Sequence, residues 1–347
     1  LLTELAHLLG YPVTNTLMGL GAFPGNDPQF VGMLGMHGTY EANMTMHNAD
    51  VILAIGARFD DRVTNNPAKF CQNAKVIHID IDPATISKTI MAHIPIVGAV
   101  EPVLQEMLTQ LKQLDISKPN PEALTQWWAQ INEWRKVHGL RYQPATDGGM
   151  KPQQVVEALD KITNSQAIIT SDVGQHQMWV AQYYPFNFGR QIITSGGLGT
   201  MGYGIPAGIG VQFAHPDKEV IVFVGDGGFQ MTNQELAILN EFQLNVKFIL
   251  INNSSLGMVR QWQESFHGNR RSASVFTNHP DFIKLAEASG IKGTKLSNPA
   301  TFEAELDEAF TYKGPQLIEV VVSSSEHVLP MIPSGMPNHK MIGVKGQ

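Results

Sequence analysis

Cysteine is almost missing from this 347-residue sequence: Cys71 stands alone, so one chain forms neither a disulfide framework nor a cysteine-built zinc site, and a reducing, cytoplasmic compartment is expected. Positive charge is short as well. With 24 Lys and Arg against 31 Asp and Glu, the formal net charge is −7 and no basic stripe faces a phosphate backbone, which removes nucleic acid as an expected partner. No stretch approaches the roughly 18 consecutive apolar residues of a membrane span. Internal repeats and low-complexity tracts are absent too. What remains is an ordinary globular composition, 43% hydrophobic and 16% charged, able to bury sizeable cores. The length exceeds one ordinary core, so two domains are expected. Leu1 to His7 reads as the interior of an amphipathic helix rather than a translation start, so the sequence is expected to be a piece of a longer protein.

Short β-branched runs alternate with helical runs over 1–114, the pattern of βαβ units around a parallel sheet. Strands are expected at 51–55, 75–79 and 94–97, and a helix at 101–114 with Val103, Leu104, Met107, Leu108 and Leu111 on one face. The turn cluster 115–121, with Pro119 and Pro121, ends that domain. A linker over 115–150 holds a helix at 122–138, whose Trp127, Trp128 and Trp134 are expected to form a packing face between domains. From 151 to 347 the alternation resumes, with apolar runs at 167–170, 191–194, 220–224, 246–251 and 317–322. Such near-continuous apolar strands belong to sheets covered on both faces. The expected fold class is α/β, with two doubly wound domains and mainly parallel sheets.

The sharpest chemical signal follows the run 220–224, where Gly225-Asp226-Gly227-Gly228 falls at a strand's carboxyl end, the ligand-binding edge of an open α/β sheet. Thr232 to Glu235 resembles a capping box opening a helix from Glu235 to Phe242. The next run, 246–251, ends in Asn252-Asn253, which puts Asn253 beside Asp226 at one sheet edge. A carboxylate and an amide oxygen suit Mg2+, and glycines admit a diphosphate to the backbone. Taken singly, each motif is equally an ordinary Gly or Asn turn. A dinucleotide site is the structural competitor, but no G-x-G-x-x-G is expected after a strand.

Taken together, Gly-Asp-Gly, 24 intervening residues and Asn-Asn resemble the signature of thiamine-diphosphate enzymes, which implies Mg2+ held by Asp226, Asn253 and the carbonyl of Ser255. Gly174, Gln175 and His176 open a helix and are expected to contact the diphosphate with Gly225, Gly227 and Gly228. His176 serves equally as a cap of its own helix. Ser195 to Gly202 is too glycine-rich for packing alone; the resemblance implies that it cradles the aminopyrimidine, with Gly199 in the loop and Met201 as the bulky residue under the folded cofactor. Leu256 to Gln263 narrows the resemblance to the acetohydroxyacid (acetolactate) synthase family, whose substrate-facing Met and Trp fall on Met258 and Trp262, with Met258 also against the cofactor.

The first domain resembles the same family's central flavin-binding domain. The resemblance implies FAD contacts from Thr16, Leu17 and Met18, from Leu34, Gly35, Met36 and His37, from Gly56, Ala57, Arg58, Asp60, Arg62 and Val63, and from Asp80 and Ile81. Without it, Arg58, Asp60, Asp61 and Arg62 read as a solvated charge cluster. Gly98-Ala99 stands where the family usually has Gly-Asp, one flavin contact fewer. The implied activity is decarboxylation of pyruvate and transfer of the two-carbon unit to pyruvate or 2-ketobutyrate, with Arg58 holding the second ketoacid's carboxylate. A homodimer of catalytic subunits with a small regulatory subunit is implied. The family's activating glutamate comes from an N-terminal pyrimidine-binding domain that has no counterpart here, so these residues alone are expected to be inactive. A flavin-dependent pyruvate oxidase and a non-catalytic cofactor- or partner-binding chain remain the alternatives.

Overall fold

A computed structural model describes residues 1–118 and 120–344; Pro119 of the expected turn and the last three residues of the expected tail lie outside the described residues. The chain divides into two compact units, Leu1–Arg141 with Leu329–Gln347, and Tyr142–Val328.

The first unit contains α1 (Leu2–Leu9), β1 (Val13–Asn15), β2 (Phe30–Met33), α2 (Tyr40–Asn48), β3 (Val51–Ile55), α3 (Asp61–Thr64), β4 (Lys75–Asp80), β5 (Ile94–Val97), α4 (Val100–Gln113) and α5 (Pro121–His138). Its strands are all parallel, in a pair β1-β2 and a sheet β3-β4-β5. Gly10 ends α1 in the left-handed conformation at φ 76, returning its N–H to Ala6, a stop that favours glycine. The buried face of α1, Leu5 and Leu9, meets Leu104 and Leu108 of α4, the leucine stripe read from the sequence. In α5, Pro121 takes the first turn, where no N–H is needed, and Asn120 caps the Ala123 amide at 3.2 Å. Its tryptophans pack with Ile131 against Val31 and Ala42, and the Trp128 indole donates to Gly10 O at 2.9 Å. They are half-buried against a small apolar cluster of this unit.

The unit boundaries differ from the expected ones. The Trp helix belongs with the first unit, and so does the segment after 328, because Ile332 donates to Met36 O at 2.8 Å and joins Met341, Val344 and Tyr40 in one apolar cluster.

The second unit contains α6 (Pro152–Thr163), β6 (Ile168–Ser171), α7 (Gln175–Tyr183), β7 (Ile192–Thr194), α8 (Gly204–Ala214), β8 (Val220–Gly225), α9 (Asp226–Thr232), α10 (Leu236–Glu241), β9 (Val246–Asn252), α11 (Gly257–Phe266), α12 (Phe282–Ala288), β10 (Lys292–Leu296), α13 (Phe302–Thr311) and β11 (Gln316–Val321). Six parallel strands run in the order β10-β11-β9-β8-β6-β7. Successive strand residues face opposite ways, and here both sets are buried. Val220, Val222, Val224, Phe248 and Leu250 join Ile205, Ile209, Phe229, Leu236 and Phe282 from the helices, while Ile221, Phe223 and Ile249 are equally enclosed. That is why β8 and β9 read as unbroken apolar runs.

Three strands escape the apolar pattern: β1 and β2 are only three and four residues long, and β10, Lys-Gly-Thr-Lys-Leu, is a half-exposed edge strand. The capping box also fails. Asp226 itself starts a helix, and the Thr232 hydroxyl donates to Gly202 O at 2.8 Å instead of capping a helix after it.

Candidate functional site

The strand order reverses at β6, with β7 on one side and β8 on the other, so the segments after β6 and β8 diverge and leave a crevice at their carboxyl ends. A cavity of about 260 Å³ lies there. Gly174, Gln175, His176, Gly199, Met201, Gly225, Asp226, Gly227, Gly228, Asn253, Ser255 and Met258 all line it. Trp262 does not: it stands one turn beyond Met258 on α11, its ring 5.3 Å from Phe266.

Asp226 is the charged centre. It is 1% exposed, and burial pushes its carboxyl up to about 7 against hydrogen bonds from Gly227 and Ser255 that favour the anion. The Gly227 amide donates to Oδ1 at 2.8 Å. The Ser255 amide donates to Asp226 Oδ2 and to Asn253 Oδ1, at 3.2 Å each, so the two side-chain oxygens lie no further apart than the sum of those distances. His279 Nε2 approaches Asp226 Oδ2 at 3.3 Å. The Asn253 amide is oriented from behind, since its Nδ2 donates to Gln175 Oε1 at 3.2 Å while Gln175 Nε2 donates to Gln261 Oε1 at 2.8 Å. A carboxylate without a full countercharge and an aligned amide oxygen form an oxygen donor set of the kind a hard divalent cation takes.

Around this pair the backbone is bare for steric reasons. A Cβ on Gly228 would collide with Asp172 Oδ1, and one on Gly257 with Gln175 Oε1 and Asn253 Nδ2. Asp172, fully buried, binds Gly202 N at 3.1 Å through Oδ1 and Gly204 N at 2.8 Å through Oδ2. It thereby holds the glycine loop 196–202 and the start of α8. Its position just before Gly174 at a strand end was the available signal, but an acidic residue there also reads as an ordinary turn. His176 is buried, its pKa pushed down to about 4 by desolvation against the nearby Asp172 charge, and its Nε2 has no partner among the described residues. A neutral imidazole thus stands on the cavity wall.

The run Gly197-Leu198-Gly199-Thr200-Met201-Gly202 does carry G-x-G-x-x-G spacing and follows β7. However, β7 is the sheet's edge strand, and Asp172 already occupies the α8 N-terminus that a dinucleotide's pyrophosphate would need. A dinucleotide reading is not supported.

The model of the thiamine pyrophosphate enzyme C-terminal TPP binding domain matches residues 172–320, and that of the thiamine pyrophosphate enzyme central domain matches 1–107. The chain belongs to the thiamine pyrophosphate enzymes. Among known members it is homologous to acetolactate synthase large subunits. That of Lactococcus lactis subsp. lactis is 51% identical over 333 residues, 96% of this chain and 56% of the relative. Acetolactate synthase isozyme 3 large subunit of Escherichia coli is 51% identical over 95% of this chain and 58% of its own length. The large subunit of Pyropia yezoensis is 45% identical over 99% and 58%. The chain thus spans less than two thirds of the length of these curated relatives. Thiamine diphosphate is this family's cofactor, and a glycine-walled crevice at the switch point, with the Asp226 and Asn253 oxygens in its wall, suits its diphosphate end.

In the first unit, the family's central domain, four expected segments converge. Leu34 donates to Asn15 O at 2.9 Å beside Thr16, Met36 to Arg62 O at 2.8 Å, and Gly56 to Ile79 O at 2.8 Å beside Asp80. A Cβ on Gly35 would strike Arg62 O, so the stretch holding Leu34, Gly35, Met36 and His37 packs tightly against Arg62 and Val63. His37 is pushed down to about 4 by burial and by the Arg62 charge. Thr16 caps a single turn through Leu17 and Met18, Met18 and Ile81 are exposed, and Asp80 Oδ1 accepts from Asp82 N at 2.9 Å. Ala57 packs beside Phe59 and Val63. Arg58 pairs with Asp60 at 3.0 Å and Arg62 with Asp61 at 2.6 Å, all four on the surface or partly so. Ala99 begins α4 without a side-chain cap.

Proposed function

We propose that this chain is the cofactor-binding portion of an acetolactate synthase catalytic subunit, a transferase that decarboxylates pyruvate and joins the two-carbon unit to pyruvate or 2-ketobutyrate. The observation that carries the reading is the Asp226 and Asn253 oxygen pair sharing the Ser255 amide inside a glycine-walled cavity. Asp226, Asn253 and the Ser255 carbonyl hold Mg2+ in this proposal, and the cation supplies the countercharge that the buried carboxylate lacks. Bound there, thiamine diphosphate supplies the electron sink for decarboxylation.

The chain's own residues then divide the remaining work. Amides of Gly227 and Gly228, with the α7 start at Gly174, Gln175 and His176, receive the diphosphate. Gly199 and Met201 support the pyrimidine end, and Met258 closes the wall on the substrate side. Trp262, one turn on, sets the size of the second ketoacid, and Arg58 is proposed as a ligand for a 2-ketoacid carboxylate. FAD lies along Thr16–Met18, Leu34–His37, 56–63 and Asp80–Ile81, with one carboxylate contact fewer because of Ala99. A catalytic homodimer with a small regulatory subunit completes the proposal.

Calorimetric titration of thiamine diphosphate into the protein, with and without Mg2+, tests the site. Binding that requires Mg2+ and is lost with thiamine, which has no diphosphate, is the expected result; Mg2+-independent binding, or equal binding of thiamine, contradicts it. In an active enzyme containing this chain, following flavin absorbance during pyruvate turnover separates the oxidase alternative, which alone reduces the flavin.

A further inference from the structure

We propose that Glu319 of β11 is a positioning residue for the metal site: it fixes the turn 252–255 by locking the side-chain amide of Asn252. This inference rests on the Mg2+ reading of Asp226 and Asn253. Glu319 is 3% exposed in a strand, Gln316–Val321, where it stands between Ile318 and Val320, and it does not line the cavity. A carboxylate buried among apolar neighbours is costly unless its oxygens are used. Here Oε1 accepts from Asn252 Nδ2 at 2.7 Å and from Lys295 Nζ at 3.3 Å.

The consequence runs through hydrogen-bond polarity. A carboxylate only accepts, so the Asn252 NH2 must face Glu319 and its oxygen must face the other way. There Oδ1 accepts from the Ser254 amide at 3.1 Å. Ser254 stands at φ 53, a left-handed conformation that a residue with a Cβ keeps only when its surroundings impose it. From that bend the next amide, Ser255 N–H, is aimed at Asp226 and Asn253 together. Turning the Asn252 amide over would set its oxygen against Glu319 and its NH2 against the Ser254 N–H, two repulsions in a buried turn. Glu319 thus selects the bend that assembles the donor set while touching neither cation nor cofactor.

The test is the Mg2+ affinity at fixed thiamine diphosphate, measured by calorimetry, with melting temperature recorded without Mg2+. The proteins are the parent, Glu319→Ala, Glu319→Gln, Asn252→Ala, the double alanine variant, and Asp226→Asn. Glu319→Ala is expected to weaken Mg2+ binding about 10–100-fold, the effect of losing an outer-shell partner. Glu319→Gln keeps an accepting oxygen and should restore most of that loss. The double alanine variant should lose no more than the weaker-binding single variant, because both act through one amide. Unchanged affinity in Glu319→Ala, or additive losses in the double variant, overturns the proposal. Should Glu319→Ala fail to fold, Asn252→Ala must weaken binding while Glu319→Gln does not, and any other pair of results overturns it. Asp226→Asn controls the underlying reading: if it leaves Mg2+ uptake intact, the cofactor site itself is wrong. Loss there with no loss in Glu319→Ala removes this inference alone.

Discussion

Burial makes the Asp226 proton unusually hard to remove, and that has a measurable sign. Its folded-state pKa, about 7, lies above the ordinary 3.8, so the folded state holds the proton more tightly than the unfolded chain. Stability from this group is therefore full below pH 3.8 and is lost as pH rises to about 7. Without metal, the Asp226→Asn variant should escape that loss, and thermal melts across this window check it. Mg2+ competes with the same proton, so Mg2+ affinity should fall below about pH 7 and level off above it. At Trp262 the expected effect is on choice rather than rate. In an active synthase containing this chain, Trp262→Leu should shift the ratio of products from 2-ketobutyrate and pyruvate by roughly ten- to two-hundredfold at most, since one methylene is worth about 1–3 kcal/mol. An unchanged product ratio would remove Trp262 from the second-ketoacid site. The acidic and amide residues at strand ends were legible because their chemistry needs few residue types. Asp172 and Gln261 were not: an acidic residue just before Gly174 reads equally as an ordinary turn, and the hydrogen bonds of a buried glutamine leave no mark in a sequence.

At the scale of elements, α11 starts where it does because Gly257 has no Cβ to strike Gln175 and Asn253. Gly257→Ala forces that start outward, and overpacking of this kind costs about 1–3 kcal/mol. Chemical denaturation should register the loss, and calorimetry should show weaker Mg2+ binding, because the displaced contact is the one orienting the Asn253 amide. A variant with parent stability and parent Mg2+ affinity would mean that the turn adapts freely. The apolar strands β8 and β9 were readable because both their faces are buried. β10 was not, since an edge strand with Lys292 and Lys295 has no apolar pattern to show. The expected capping box at Thr232 went astray for a related reason: local spacing suggested a cap, and the hydroxyl found a tertiary partner in Gly202 instead.

On the scale of the whole molecule, the α/β class and the parallel sheets followed from the alternation of runs. The unit limits did not follow, because the Trp helix and the segment after 328 are placed by apolar contacts distant in sequence. Among the described residues lining the cavity, Asp226 is the one acidic side chain, and the Mg2+ assignment commits it. No carboxylate is left there to accept a hydrogen bond from the pyrimidine ring. This chain, given Mg2+, thiamine diphosphate, FAD and pyruvate, should therefore form acetolactate at least about 10²–10⁴-fold more slowly than a complete synthase, the usual worth of such acid-base help. A comparable rate would place the activating group within these 347 residues. The shared site of Asp226 and Asn253 is tested most directly by a crystal structure with Mn2+ and thiamine diphosphate, the ion located by anomalous scattering. One ion within about 2.2 Å of Asp226, Asn253 and the Ser255 carbonyl, and bonded to the diphosphate, is the expected result. An ion bound elsewhere, or a diphosphate bound with these oxygens unligated, would contradict it.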